Sequence, residues 1–317
     1  MRISKLLCRS FVLLGLLFIA CSNTDDVQQK VSEIDANRLK IRDPFIFYDA
    51  ETDYYYLHAN GTQKVKRYKS KDLLKWQENG YSFLPSAGFW GKEDFWAPDL
   101  YKYKDKCYMF LTLSAPGVKR GTSILVSDRA TGTFQPLVNR AVTPQEWTCL
   151  DGSLYIDQEG KLWLFYCREW VEVGDGEIYV QRLTNDLTAT DDEPCLLFKA
   201  SEAPWVGPVT LGTSTGNVTD APTVYRLENG ALLMLWSSFT KDGKYCIGQA
   251  VSESGDVRGP WVQTPEPLNN DDGGHAMLFI DKEGNRKISY HSPNTTGLET
   301  LTIRNVVIEN NRVRIIE

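Results

Sequence analysis

No two cysteines in this chain stand in a CxxC pair, the spacing a tetrahedral zinc site ordinarily uses, so a zinc centre is not expected. HExxH, P-loop and dinucleotide fingerprints are also missing, which removes the zincins and the nucleotide-binding folds. There is no basic stripe: Lys and Arg are scattered among acids and the net charge is -6, so a nucleic-acid partner does not fit. Apolar positions at helical spacing never run long enough to supply crossover helices, which argues against a parallel α/β fold. The longest apolar run, FVLLGLLFIA near the N-terminus, is too short to cross a bilayer.

That run has another reading. It follows a short basic start and ends in FIAC, the form of a bacterial lipoprotein export signal over residues 1–20. Cleavage would leave Cys21 as a lipidated first residue, residues 21–36 as a polar tether, and residues 37–317 as one globular domain held at the cell envelope, periplasmic or on the surface. The membrane is then met only through the lipid. Of the cysteines behind this segment, Cys107 and Cys167 lie inside apolar strand runs and read as small buried hydrophobes. The aromatic share is 12%, which suits both sheet packing and a surface that stacks on sugar rings.

One passage recurs along the chain. It runs DPFIFYDAETDYYYLHAN from Asp43, DLYKYKDKCYMFLTLS from Asp99, DGSLYIDQEGKLWLFYC from Asp151, DAPTVYRLENGALLMLWSS from Asp220, and GHAMLFIDKEGNRKISYHSPN from Gly274. Each is a strand, a turn of Asp, Glu, Asn, Gly or Lys, and a second strand rich in aromatic and branched residues, which is a hairpin pattern. Weaker strands such as SILVSD, EIYVQRL and YCIGQAVS follow, and Trp marks the closing strands DLLKWQ and GPWVQ. A four-stranded unit repeating at roughly 40 to 70 residues predicts an all-β, five-bladed β-propeller. In such a fold the first strand of every blade lines a central channel and all run the same way. The starts of those strands would gather Asp43, Asp99, Asp151 and Asp220 on one face, with the far ends of the second strands bringing His58, Ser114, Glu169, Ser237 and His291 beside them.

Taken in order, RDPFIFY, FWAPDLYKYKDKCYMFLT, LDGSLYIDQEGKLWLFY, TDAPTVYRLENGALLMLWSS and GGHAMLFID resemble glycoside hydrolase family 43, over the chain after about residue 37. The resemblance implies an inverting hydrolase of pentose-containing plant-type glycans, an arabinofuranosidase, xylosidase or arabinanase. It gives Asp43 as general base and Asp151 as the residue that orients the acid and tunes its pKa. Inversion needs an ionised carboxylate to deprotonate water and a protonated one to protonate the leaving oxygen, and a third carboxyl nearby keeps the acid protonated by like-charge repulsion. The chain departs from the family in its fourth repeat, where a Glu is usual and TDAP supplies Asp220, one methylene shorter. Glu169, which ends the third hairpin, is the rival proton donor and is favoured on reach. Arg42 is expected to point away from Asp43, on the other side of the strand.

Around these, Trp90 and Trp96 are expected to form a sugar-stacking wall, and Asp99, Arg168, His275 and His291 to meet the substrate. The resemblance also implies that His275 lies in the channel, where a cation such as calcium is sometimes held through waters; no cofactor is required. Two alternatives share the fold: a non-catalytic sugar-binding propeller, and a related propeller glycosidase or phosphorylase acting on another sugar. The phosphorylase would need a cluster of cations to grip phosphate, and only Arg168 is at hand.

Overall fold

The structure is a computed structural model and describes residues 32–316. The export segment, Cys21 and most of the expected tether lie outside the described residues.

Among the described residues, twenty-three strands form five antiparallel blades and one small hairpin. Blade one holds β1 (Glu33–Asp35), β2 (Phe45–Asp49), β3 (Tyr54–Ala59), β4 (Val65–Ser70) and β5 (Lys75–Phe83), in the order β1-β5-β4-β3-β2. Blade two is β6 (Glu93–Tyr103), β7 (Lys106–Ala115), β8 (Val118–Ser127) and β9 (Gln135–Pro136). Blade three is β10 (Cys149–Ile156), β11 (Leu162–Arg168), β12 (Glu177–Arg182) and β13 (Cys195–Lys199), with the single turn α1 (Trp170–Val173) after β11. The hairpin β14 (Val209–Leu211) and β15 (Ser214–Gly216) packs on that turn, and Asn217 N–H donates to Gly174 O. Blade four is β16 (Asp220–Arg226), β17 (Leu232–Phe239), β18 (Tyr245–Ser252) and β19 (Val262–Gln263). Blade five is β20 (Gly274–Ile280), β21 (Arg286–Ser292), β22 (Thr300–Glu309) and β23 (Arg312–Ile316).

The first strands β2, β6, β10, β16 and β20 touch in that cyclic order, so they line one channel. Ring closure uses the N-terminal segment: Lys40 bridges to Thr300, Ile41 N–H donates to Glu299 O, and Leu301 N–H donates to Leu39 O. Residues 33–35, expected in the tether, are the outermost strand of blade one, paired with β5 from Glu33 to Asp35. The folded body therefore starts a few residues before 37.

Turn chemistry explains the hairpins. The Asp157 carboxylate accepts from the N–H groups of Glu159 and Lys161, and Asp281 does the same for Glu283 and Asn285. The core lies between blades: Trp76, Phe83 and Met109 join blades one and two, Phe165, Phe198 and Trp236 join three and four, and Ile247, Ile288 and Tyr290 join four and five. Burying one such side chain is worth about 1.5–3 kcal/mol, so the packed faces fix the radial arrangement. Cys107, Cys149, Cys167 and Cys246 are buried free thiols and Cys195 is a partly exposed one.

Candidate active site

Each first strand carries a residue in the left-handed region, within it or just ahead of it. These are Asp43 (φ 51°), Ala97 (φ 47°), Asp151 (φ 53°), Ala221 (φ 54°) and His275 (φ 58°). In blades two to five the ladder slips around that residue, between Trp96 and Asp99, Leu150 and Ser153, Asp220 and Thr223, and Gly274 and Met277. Such a bulge turns a side chain out of strict alternation. The expected alignment of four acids is corrected here. Asp43, Asp151 and His275 are equivalent positions, Asp220 stands one residue before the left-handed Ala221, and Asp99 two residues after Ala97.

A left-handed non-glycine residue is strained, and its buried N–H needs a partner. Every one is capped from the preceding blade. His291 Nδ1 accepts from Asp43 N–H (3.3 Å), Asn60 Oδ1 from Ala97 (2.9 Å), Thr112 Oγ1 from Asp151 (2.8 Å), Asp151 Oδ2 from Ala221 (2.9 Å) and Ser237 Oγ from His275 (2.9 Å). The ends of the second strands do return to this face, as expected, but several serve as caps. His291, with a fully buried side chain, backs Asp43 instead of facing substrate.

Asp43 is buried and held on both oxygens. Asn60 Nδ2 donates to Oδ2 at 2.7 Å, and His275 Nδ1 lies 3.1 Å from Oδ1. Burial would raise its pKa, but His275, Arg42, His291 and Asn60 outweigh that and bring it to about 2. Burial lowers His275 to about 4, so near neutrality it is an uncharged neighbour of Asp43 and the standing cation is Arg42. Arg42 is near enough for its charge to act on Asp43, and its guanidinium is tied to Glu299 at 3.0 Å. The same His275 Nδ1 is 3.8 Å from Asp151 Oδ2. Asp43 and Asp151 thus flank one nitrogen and share one cavity.

The other carboxyls are pushed the opposite way. Burial, with the charges of Asp220 and Asp43, lifts Asp151 well above the usual range. Asp220 is lifted to about 7 by burial, Asp43 and Glu169, against the hydroxyl of Tyr245 and the charge of Arg42. Crowded by protein, it still keeps a part-exposed edge that Asp43, Asp99 and Asp151 lack. Asp99 is buried beside Tyr101, whose hydroxyl donates to it at 3.0 Å, and is raised to about 8 mainly by burial.

Glu169 caps α1 and its carboxylate is gripped by Arg120, which also holds Asp94 at 3.0 Å and lies 4.4 Å above the ring of Trp96. Arg120, absent from the sequence reading, orders this corner. Trp96 is 38% exposed, as a stacking platform must be. Trp90 is half-buried, its indole N–H fixed by Ser123 at 2.8 Å, and it lines a separate cavity of about 430 Å³ with Val118, Arg120 and Arg140. Arg168 is not open to substrate: it stacks on Trp147 at 4.3 Å and pairs with Glu172 at 2.8 Å. His58 is likewise fully buried, hydrogen-bonded to Ser82 at 2.7 Å. A groove of about 580 Å³ beside the carboxylates is lined by Arg42, Asn60, Gln63, Lys92 and Trp96. Among the described residues no three His, Cys, Asp or Glu side chains converge to hold a metal ion.

Comparison with known proteins agrees with this geometry. Residues 37–314 match the sequence profile of Glycosyl hydrolases family 43. The crystal structure of an endo-arabinase from Bacteroides thetaiotaomicron VPI-5482 is 60% identical, covers 88% of this chain and 98% of its own, and superposes with a TM-score of 0.86. An endo-1,4-beta-xylanase from the same strain shares the fold at 24% identity, over 90% of this chain and 97% of its own, with a TM-score of 0.72. An extracellular exo-alpha-(1->5)-L-arabinofuranosidase of Cellvibrio japonicus (strain Ueda107) is 22% identical over 266 residues, 78% of this chain and 73% of that protein. The chain belongs to glycosyl hydrolase family 43 and is a glycoside hydrolase on a five-bladed β-propeller.

Proposed function

We propose that the enzyme cleaves arabinose-containing, arabinan-type chains by a single displacement that inverts the anomeric centre. The substrate class is supported by the endo-arabinase similarity at 60% identity over nearly the whole of both chains. The mechanism rests on one observation: Asp43 and Asp151 flank His275 Nδ1 at 3.1 and 3.8 Å and Asp151 binds the N–H of Ala221 beside Asp220, an arrangement in which one carboxyl is held down to about 2 and another lifted to about 7. Opposed pKa values in one cavity assign base and acid.

Asp43, ionised, takes a proton from water, whose oxygen attacks the anomeric carbon. The glycosidic bond breaks as Asp220 gives its proton to the leaving oxygen. Asp151 accepts from the N–H of Ala221, the residue after the donor, and so fixes where Asp220 stands while its own potential charge discourages ionisation there. Glu169 is the rival that reach alone favours. Burial raises the pKa of Glu169, but its carboxylate is engaged by Arg120, which opposes that rise and holds the group to the guanidinium, so Asp220 takes the role. Trp96 offers a sugar-stacking face at the mouth. A calcium ion held through waters at His275 rests on the family resemblance alone, and no step runs through it.

The test is Asp220→Asn against Glu169→Gln on alkyl and nitrophenyl arabinofuranosides, with arabinan and xylan assayed for reducing-sugar release. Asp220→Asn should lose about 10²–10⁴-fold on alkyl leaving groups and far less on nitrophenyl ones, which depart without a proton. Glu169→Gln should lose a similar factor on both. The reverse pattern would transfer the donor role to Glu169, and release from xylan but not arabinan would overturn the substrate. We also propose that residues 1–20 are an export signal and that lipid on Cys21 holds the enzyme at the cell envelope. The mass of the mature N-terminal peptide reads this directly.

A further inference from the structure

Asp220 is shorter than the glutamate usual at this position, yet a general acid must present its proton at a fixed place. Tyr245, first residue of β18, supplies the missing constraint. Its side chain is buried and, among the described residues, its hydroxyl has one polar partner, Asp220 Oδ2, at 2.9 Å. The ring stacks on His291 at 5.7 Å with 19° between planes and leans on Phe239 at 5.0 Å. Its backbone N–H is tied to Asp272 Oδ1 at 2.9 Å.

The path of that ring is cleared by a glycine. A Cβ on Gly274 would stand 2.3 Å from Tyr245 Cε1 and 2.6 Å from Cδ1. Contacts that short do not occur, and the neighbour is a packed aromatic ring that has no room to give. Gly274 sits one residue before His275, at the position that Asp220 holds in blade four and Arg42 in blade one. Blade five therefore contributes a gap where blade four contributes the acid, and Tyr245 reaches through it.

We propose that Tyr245 is the positioning residue of the proton donor: its hydroxyl donates to Oδ2 of Asp220, which leaves Oδ1 to carry the proton towards the leaving oxygen, and Gly274 exists to admit the ring. This rests on the reading of Asp220 as donor. A protonated carboxyl has one O–H, and an oxygen already accepting from a phenol is the poorer place for it. The phenol stays a donor throughout, because burial and the charges of Asp220 and Asp43 hold its own pKa well above the ordinary 10. Asp220 has one torsion fewer than glutamate, so one hydrogen bond is enough to fix it. The other charged or titratable groups that act on it or feel its charge are Asp43, Asp151, Glu169, Arg42 and the buried thiol of Cys167.

Tyr245→Phe keeps the ring and its stacking and removes only the hydroxyl. On alkyl arabinofuranosides kcat should fall about tenfold with KM little changed, and on nitrophenyl substrates the loss should be much smaller. The alkaline limb of kcat/KM, a property of the Asp220–Asp151 pair, should move to higher pH, because a donor that favours the carboxylate is gone. Gly274→Ala, which pushes the ring off Asp220, should reproduce both effects, and adding Tyr245→Phe to it should cost little more. A merely structural tyrosine would lower the urea midpoint without moving the limb. If Tyr245→Phe keeps the wild-type limb and leaving-group dependence while Asp220→Asn loses alkyl substrates selectively, the Tyr245 proposal alone is refuted. If Asp220→Asn shows no leaving-group dependence, the donor assignment falls and this proposal with it.

Discussion

Thr112→Val tests whether the ring of caps holds the carboxylates in place. Thr112 is 1% exposed and its hydroxyl accepts from the N–H of Asp151 at 2.8 Å. Valine has nearly the same shape, so no cavity opens and the change removes one acceptor. The N–H of Asp151 is then orphaned in a buried site, at a cost of about 1–3 kcal/mol. Asp151 is also in the left-handed region at φ 53°, a strain of roughly 1–2 kcal/mol that the cap helps to hold. With the cap gone, the backbone can relax towards an ordinary extended conformation and carry the carboxylate away from His275 and Ala221. A displacement near 1 Å is worth up to about a hundredfold in rate. The expected result is a fall of about 1–3 kcal/mol in urea unfolding free energy together with a ten- to hundredfold loss of kcat. Thr112 has no exposed surface to offer a sugar, so the loss cannot come from a lost substrate contact. A variant within about 0.3 kcal/mol of wild type and equally active would refute the claim that these caps set the site.

Two further outcomes follow from the charges. Asp99 is raised in the folded state to about 8, so its contribution to stability is fully present below the unfolded value near 4 and is lost as pH rises through 8. Asp99→Asn, which can still accept from Tyr101, should match wild type in urea melts at pH 4 and exceed it by a few kcal/mol at pH 8; equal midpoints at both pH values would show that Asp99 is not a buried neutral acid. Arg42→Met should act on the other side of the profile. Asp43 is depressed to about 2 with Arg42 as its standing cation, so without that charge its pKa rises and the acidic limb of kcat/KM moves up by about one unit, with little change at neutral pH. An unmoved limb between about pH 2 and 4 would mean that Asn60 and His275 suffice alone.

The repeat of hairpins was legible because turn residues and apolar alternation are local, and five similar passages leave few architectures other than a propeller. Asp43 and Asp151 were legible for the same reason. The register of the remaining acids was not, because aligning the repeats on aspartate puts Asp99 and Asp220 level with Asp43. Aligning them on proline would have served better: Pro44, Pro98 and Pro222 each follow the left-handed residue of their blade, which places Ala97 and Ala221 opposite Asp43. Two of the five equivalent positions are thus alanines, and that smallness leaves room for the side chains that do the chemistry from neighbouring positions. Arg120 and Tyr245 lay beyond reach for a different reason. Each acts on partners distant in sequence, 26 to 49 residues away for Arg120 and 25 for Tyr245, and nothing in KRG or YCIG marks such a partner. The mark lies on the opposing strand, where the second glycine of GGH keeps open the space that Tyr245 fills. In a propeller whose acids come from separate blades, what decides their protonation is therefore written in the small residues as much as in the charged ones.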